Sequence, residues 1–207
     1  MLQDTLENAL QELAEQDADV ARLLPQIGPP EPRQRDKGFA TLFATIASQQ
    51  ISTDAARAIM GRIHTQLPTL NANTVAAIDG QALRDAGLSW RKVEYAKGLA
   101  DAELSGSFNA DALEAMNDAD AIAAITALRG FGRWSAEIYL MFSLGRGDIF
   151  PADDLALRVA LGRLKSLAER PTPAQSRRMV EHWAPRRSAG ALFLWHYYLN
   201  NQRGAPA

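Results

Sequence analysis

Helical spacing of apolar residues constrains this chain more than any other feature. Phe39, Leu42, Phe43, Ile46 and Ala47 fall at i, i+3, i+4, i+7 and i+8, one stripe along a helix. Ala55, Ala56, Ile59, Ile63 and Leu67 continue a second helix after a break around Ser52-Thr53. Shorter helices with Asn, Asp or Ser starts and Gly stops are expected around 73–79, 80–86, 89–104, 109–116 and 118–127. Alternating strand patterns are nearly absent, so the expected fold class is all-α, about ten helices in two lobes. Leu2–Leu24 reads as a single amphipathic helix that ends before Gly28-Pro29-Pro30-Glu31-Pro32. Residues 1–35 are expected to pack with a C-terminal lobe, while about 40–145 forms the other.

Composition narrows the function classes. With 207 residues, 47% of them hydrophobic, the chain can bury a core as one domain or two closely packed lobes. No stretch approaches the roughly 18 uninterrupted apolar residues of a membrane span. The N-terminus, MLQDTLENALQELAEQDADV, lacks the basic-then-apolar order of a signal peptide, and a cytoplasmic location is expected. The chain has no cysteine, which excludes disulfides, iron–sulfur clusters and thiolate metal sites. His64, His182 and His196 show no ligand spacing, so metal catalysis is set aside. The net charge of −2 argues against a nucleic-acid protein, for which a basic footprint is expected. The distribution is uneven, however: the first 35 residues are mostly acidic, and basic residues accumulate from Arg129 onward.

The most informative run is Ala121–Leu144, AIAAITALRGFGRWSAEIYLMFSL: an apolar helix, Leu128-Arg129-Gly130-Phe131-Gly132, then a second apolar helix from about Arg133. Two glycines one residue apart allow backbone conformations closed to other residues and let a ligand approach the main chain. The second helix directs its free N–H groups out of the turn, which suits an anion such as phosphate. Taken alone, the turn is also compatible with an ordinary αα-hairpin capped by glycine.

In context, L-R-G-F-G-R-W-S-A, an apolar helix and then I-F-P-A-D-D-L-A-L resemble the helix-hairpin-helix, Gly/Pro-rich, aspartate (HhH-GPD) signature of base-excision DNA glycosylases. The resemblance is closest to the 3-methyladenine DNA glycosylase II type. Ala47-Ser48-Gln49-Gln50-Ile51-Ser52, Leu83–Leu99 and Trp183–Trp195 add to it, and it spans roughly residues 38–200. Many members begin with an extra mixed α/β domain, so this chain is expected to be a compact form without it. The family places its active site in a cleft between two lobes. By resemblance, Gly130, Gly132, Arg133 and Ser135 contact DNA, with phosphate on the hairpin. The backbone carbonyls of Thr126, Leu128 and Phe131 hold Na⁺ or K⁺. No cofactor is expected for catalysis.

Phe150-Pro151-Ala152-Asp153-Asp154 precedes a helix expected over Leu155–Leu167. Acidic residues there serve as ordinary helix caps. The family's catalytic carboxylate, which stabilises the positive charge that develops on the sugar as an N-glycosidic bond breaks, falls on Asp154. Asp153 is expected to cap or orient. Strand-nicking relatives carry a lysine two residues after the second hairpin glycine, where it forms a Schiff base. That position is Trp134, which implies a monofunctional enzyme using water and leaving an abasic site.

Trp134 and Trp195 match aromatic pocket positions that hold a flipped, cationic base, though ordinary core packing explains either alone. Gln50 matches the residue that fills the vacated stack, with Gln49 or Ile51 as substitutes. Trp90-Arg91-Lys92 reads equally as a phosphate contact or a solvated helix start. The implied partner is double-stranded DNA containing alkylated bases such as 3-methyladenine and 7-methylguanine, bound by a monomer. The rival readings are a non-catalytic helix-hairpin-helix DNA-binding module and a glycosylase for oxidised or mismatched bases. Oxidised-pyrimidine members usually carry the lysine and often a four-cysteine cluster, both missing here.

Overall fold

The single N-terminal helix expected over Leu2–Leu24 is two helices in the computed structural model, which describes residues 3–203; Leu2 and residues 204–207 lie outside them. Helix α1 (Gln3–Gln16) stops at Asp17, and α2 (Ala18–Ile27) starts there. The apolar periodicity runs across this break, but Asp17 has extended backbone, and its carboxylate accepts the N–H groups of Asp19 and Val20 at 3.0 and 3.3 Å. A side chain that satisfies the first free amides begins a helix rather than continuing one.

The remaining helices are α3 (Phe39–Ser48), α4 (Thr53–Gln66), α5 (Ala72–Ala77), α6 (Gly80–Asp85), α7 (Trp90–Leu104), α8 (Asp118–Ala127), α9 (Arg133–Phe142), α10 (Leu155–Leu164), α11 (Pro173–Met179) and α12 (Arg187–Arg203). The all-α expectation holds, with twelve α-helices and no strand among the described residues rather than about ten helices. Side-chain caps set most of the starts: Ser52, Asn71, Asp79, Ser89, Asn117 and Thr172 each accept a first-turn N–H. The helix expected at 109–116 shrinks to a 3-10 turn, Ala112–Glu114. There Asn109 Oδ1 accepts the N–H groups of Asp111 and Ala112, so the side chain replaces the helical ladder with a turn.

Two compact units result. One joins the chain up to Gln34 to the chain from Leu140; the other runs from Arg35 to Tyr139. In the second unit Leu42, Phe43, Ile46 and Ala47 of α3 are buried, as are Ile59 and Ile63 of α4 and Val93, Ala96 and Leu99 of α7. In the first, Leu6, Leu10 and Leu13 of α1 are buried, as are Trp183 and the Ala191–Leu194 stretch of α12.

A polar cluster ties the first unit together. Asp17, its side chain 1% exposed, accepts Lys165 Nζ at 2.7 Å on both oxygens, and Oδ2 also takes the Trp183 indole N–H at 2.7 Å. His182 Nε2 lies 3.0 Å from the same oxygen. Burial opposes ionisation of Asp17, but the hydrogen bonds from Lys165, Trp183 and His182 outweigh it and hold the carboxyl at about 2.

No described helix is long and apolar enough to cross a membrane.

Candidate functional site

Asp154 is placed by the start of α10 and by the body of α12. It is the N-cap of α10, with extended backbone, and its Oδ1 accepts the Leu157 N–H at 3.0 Å. The same oxygen accepts the indole N–H of Trp195 at 3.2 Å. Trp195 lies against Phe142, ring centroids 5.9 Å apart and tilted by 31°. The carboxylate is thus fixed by a backbone donor on one helix and a side-chain donor on another.

The segment leading to it is clamped to the first turn of α12. Arg187 makes a two-pronged bond to Asp148, 2.6 Å at each contact. The Asp148 carboxyl is held below the usual carboxylate range, chiefly by that guanidinium. Buried Ser188 accepts the Ile149 N–H at 3.0 Å and donates to the Arg146 carbonyl at 2.7 Å. The helix cap expected of Asp153 belongs instead to Asp154, because position 154 carries the N-cap backbone geometry. Asp153 is exposed and pairs with Arg177 at 2.8 Å.

Trp195 also lines a cavity of about 230 Å³ with Pro30, Glu31, Leu192, His196 and Leu199. A larger cleft of about 610 Å³ beside α3 and α4, with Arg35, Arg57 and His64 among its lining residues, includes none of the expected site residues. No group of three or more His, Asp or Glu side chains suited to a metal ion is present among the described residues.

The second unit holds the other expected residues. Leu128 ends α8 in extended backbone, Phe131 donates its N–H to the Leu128 carbonyl at 3.2 Å, and α9 begins at Arg133. The two hairpin glycines are there for different reasons. Gly130 has φ 95°, and a Cβ on it would lie 2.4 Å from the ring of Tyr95. A Cβ at Gly132 would meet no protein atom within 4 Å, so its absence leaves the main chain open from outside. Gly130→Ala is expected to destabilise the second unit by about 2 kcal/mol or more, from left-handed strain plus overpacking. Urea denaturation of the variant measures it.

Arg133, expected to face DNA, is exposed but bonds through Nε to the buried carboxylate of Glu137 at 2.8 Å. Ser135 is 8% exposed, whereas Trp134 is 42% exposed on the first turn of α9. Trp134 and Trp195, the two expected pocket aromatics, stand on different units.

Gln50 is exposed and has a left-handed backbone, φ 58°, rare for a residue other than glycine. Ile51 beside it is 38% exposed. Gln49 is turned inward and donates Nε2–H to the Gly130 carbonyl at 2.8 Å. Lys92 is also turned inward, to the Ala47 carbonyl at 2.8 Å, and desolvation lowers its pKa below the ordinary lysine value. Arg84 sits over the Trp90 ring, 5.5 Å from its centroid. Tyr95 and the inward role of Gln49 carry no sequence signal, because each is defined by a partner that folding brings near; Glu137 is instead the i,i+4 neighbour of Arg133, a spacing the sequence does display.

DNA-3-methyladenine glycosylase 1 of Schizosaccharomyces pombe is 32% identical over 188 residues, covering 86% of this chain and 82% of that protein. The solved structure of the S. pombe 3-methyladenine DNA glycosylase Mag1 in complex with abasic DNA superposes with a TM-score of 0.77 at 30% identity, over 91% of this chain and 95% of that one. A DNA-3-methyladenine glycosidase from Bacillus halodurans superposes with a TM-score of 0.86 at 27% identity, over 95% of this chain and 91% of that one. Residues 43–186 match the family described as HhH-GPD superfamily base excision DNA repair protein. With Asp154 at the head of α10 and a Gly-x-Gly hairpin between α8 and α9, this chain belongs to the HhH-GPD superfamily of base-excision DNA repair proteins.

Proposed function

We propose that this protein is a monofunctional DNA glycosylase that removes alkylated bases, such as 3-methyladenine and 7-methylguanine, from double-stranded DNA and leaves an abasic site. The observation that carries the reading is Asp154, held on one oxygen by the Leu157 and Trp195 donors just past the hairpin in sequence. The names of its relatives support the same substrate class.

An alkylated purine carries positive charge and leaves as a neutral base when its bond to C1′ breaks and takes the electron pair. The positive charge moves to the sugar, where a fixed carboxylate stabilises it. Water then adds to C1′ and passes its proton to that carboxylate. One acid group suffices, because the leaving base needs no proton.

Trp195, bonded to Asp154, and the exposed Trp134 would each be able to offer an aromatic face to a cationic base by cation–π attraction. The free amides at the start of α9, open at Gly132, would hold a backbone phosphate, with Gly130 shaping the turn and Arg133 and Ser135 beside them. Gln50 would fill the vacated stack. The carbonyls of Thr126, Leu128 and Phe131 would hold Na⁺ or K⁺, which neutralises phosphate charge at the turn. Thr126 lies in the last turn of α8, where carbonyls lack helical donors, and neutral oxygens suit such a cation. The protein would act as a monomer.

The test uses methylated duplex DNA, with released bases identified by mass. Base release without strand breakage until alkali is added is the expected result. Borohydride is expected to trap no protein–DNA adduct, because Trp134 offers no amine. No released base overturns the reading in favour of a DNA-binding module, and a trapped adduct overturns the monofunctional assignment.

A further inference from the structure

We propose that Gln49 is a positioning residue that locks the loop carrying Gln50 to the hairpin, so that the residue entering the base stack is held in register with the phosphate the hairpin grips. This rests on the glycosylase reading above.

Three contacts carry it. Gln49, half-buried, spans 81 residues of sequence to give its amide N–H to the Gly130 carbonyl at 2.8 Å. That carbonyl belongs to the turn itself, and Gly130 is backed by the Tyr95 ring of α7, which fills the space where a Cβ would go. Two residues before Gln49, the Ala47 carbonyl in the last turn of α3 accepts Lys92 Nζ, also from α7, at 2.8 Å.

The stretch leading into Gln50 is therefore tied both to the turn and to the helix that backs the turn. Directly after the two ties, Gln50 keeps a left-handed backbone and stays exposed. An unfavourable conformation of this kind persists only where its surroundings impose it. A free loop would relax, and its tip would lose its fixed distance from the hairpin amides. The carbonyl can only accept, so the Gln49 donor is what the tie requires.

Gln49→Glu keeps the shape and removes the donor, and Gln49→Met keeps the length without polarity. Each is compared with wild type in single-turnover release of 7-methylguanine from two duplexes. In one the lesion pairs with cytosine; in the other it sits in an unpaired bulge that needs little extrusion. Both variants are expected to slow release from the paired site roughly tenfold. The bulged site and the melting temperature are expected to stay as in wild type.

Unchanged rates at the paired site overturn the proposal. Equal losses at both sites overturn it too, since they make Gln49 a merely structural residue. Wild-type protein that releases no base from either duplex overturns the glycosylase reading and this proposal with it; wild-type release with unaffected variants overturns the coupling alone.

Discussion

Asp154→Asn is expected to lower single-turnover base release by about 10²–10³-fold or more, the scale of losing a preorganised charge next to a developing one. The substitution isolates chemistry from structure. Asn and Asp are equivalent as helix N-caps, and an amide oxygen accepts the Leu157 and Trp195 N–H groups as a carboxylate oxygen does. The fold and the tryptophan's orientation are therefore retained while the negative charge is gone. Binding to abasic-site DNA, measured by fluorescence anisotropy, is expected to change little, because affinity comes mainly from phosphate contacts. Asp154→Ala is a poorer probe, since it also removes a cap that contributes about 1 kcal/mol. Asp153→Asn is the control: it breaks an exposed pair with Arg177 and leaves release near wild type. Wild-type-like release by Asp154→Asn sinks the assignment.

Asp17→Ala is expected to destabilise the unit that carries Asp154 by about 3–5 kcal/mol, the usual cost of removing one partner of a buried ion pair. The Asp17 side chain is 1% exposed, and its loss takes the acceptor from the buried Trp183 indole N–H, leaves Lys165 with its 3.0 Å contact to Asp19, and uncaps α2. Calorimetric or urea melts report the loss directly. The wild-type protein should show the matching acid dependence. The carboxyl ionises at about 2 in the folded state against 3.8 ordinarily, so between those values the unfolded chain binds more protons. The contribution is therefore complete above about pH 4 and fades as the pH falls toward 2. An Asp17→Ala melt with the same midpoint as wild type would show that the cluster adds nothing to stability.

The legibility of this chain divides by the range of the interactions. Helices with a local apolar stripe, such as α3, or a local side-chain cap, such as α4 and α8, are readable because the residues that decide them sit within one or two turns. The Gly-x-Gly turn is readable for the same reason. The break at Asp17 is not: the apolar spacing continues through it, and the partner that makes burial of Asp17 tolerable, Lys165, is 148 residues away. The neighbouring aspartates show a finer limit. Sequence proposes one cap and one reactive carboxylate, whereas Asp154 alone takes the cap and the Trp195 bond, and Asp153 pairs with Arg177. Gln49 is a third case. Its neighbour Gln50 matches the stack-filling position, but nothing local reveals that Gln49 is committed to Gly130. The DNA-facing expectation for Arg133 missed the buried Glu137 one turn further along α9, which binds its guanidinium.

The composition of the two units sets an order on their assembly. The unit from Arg35 to Tyr139 is one continuous stretch, so a ribosome finishes it while the residues from Leu140 onward are still unmade. The unit with Asp154 draws on both ends of the chain. Until Lys165 and Trp183 emerge, Asp17 is a carboxylate without its counter-charge, and α1 and α2 have no core to enter. Closing that gap is a long-range event, slow by its topology. The hairpin half is thus complete before the half that bears Asp154, and the proposed hydrolysis waits on the residues from Leu140 onward.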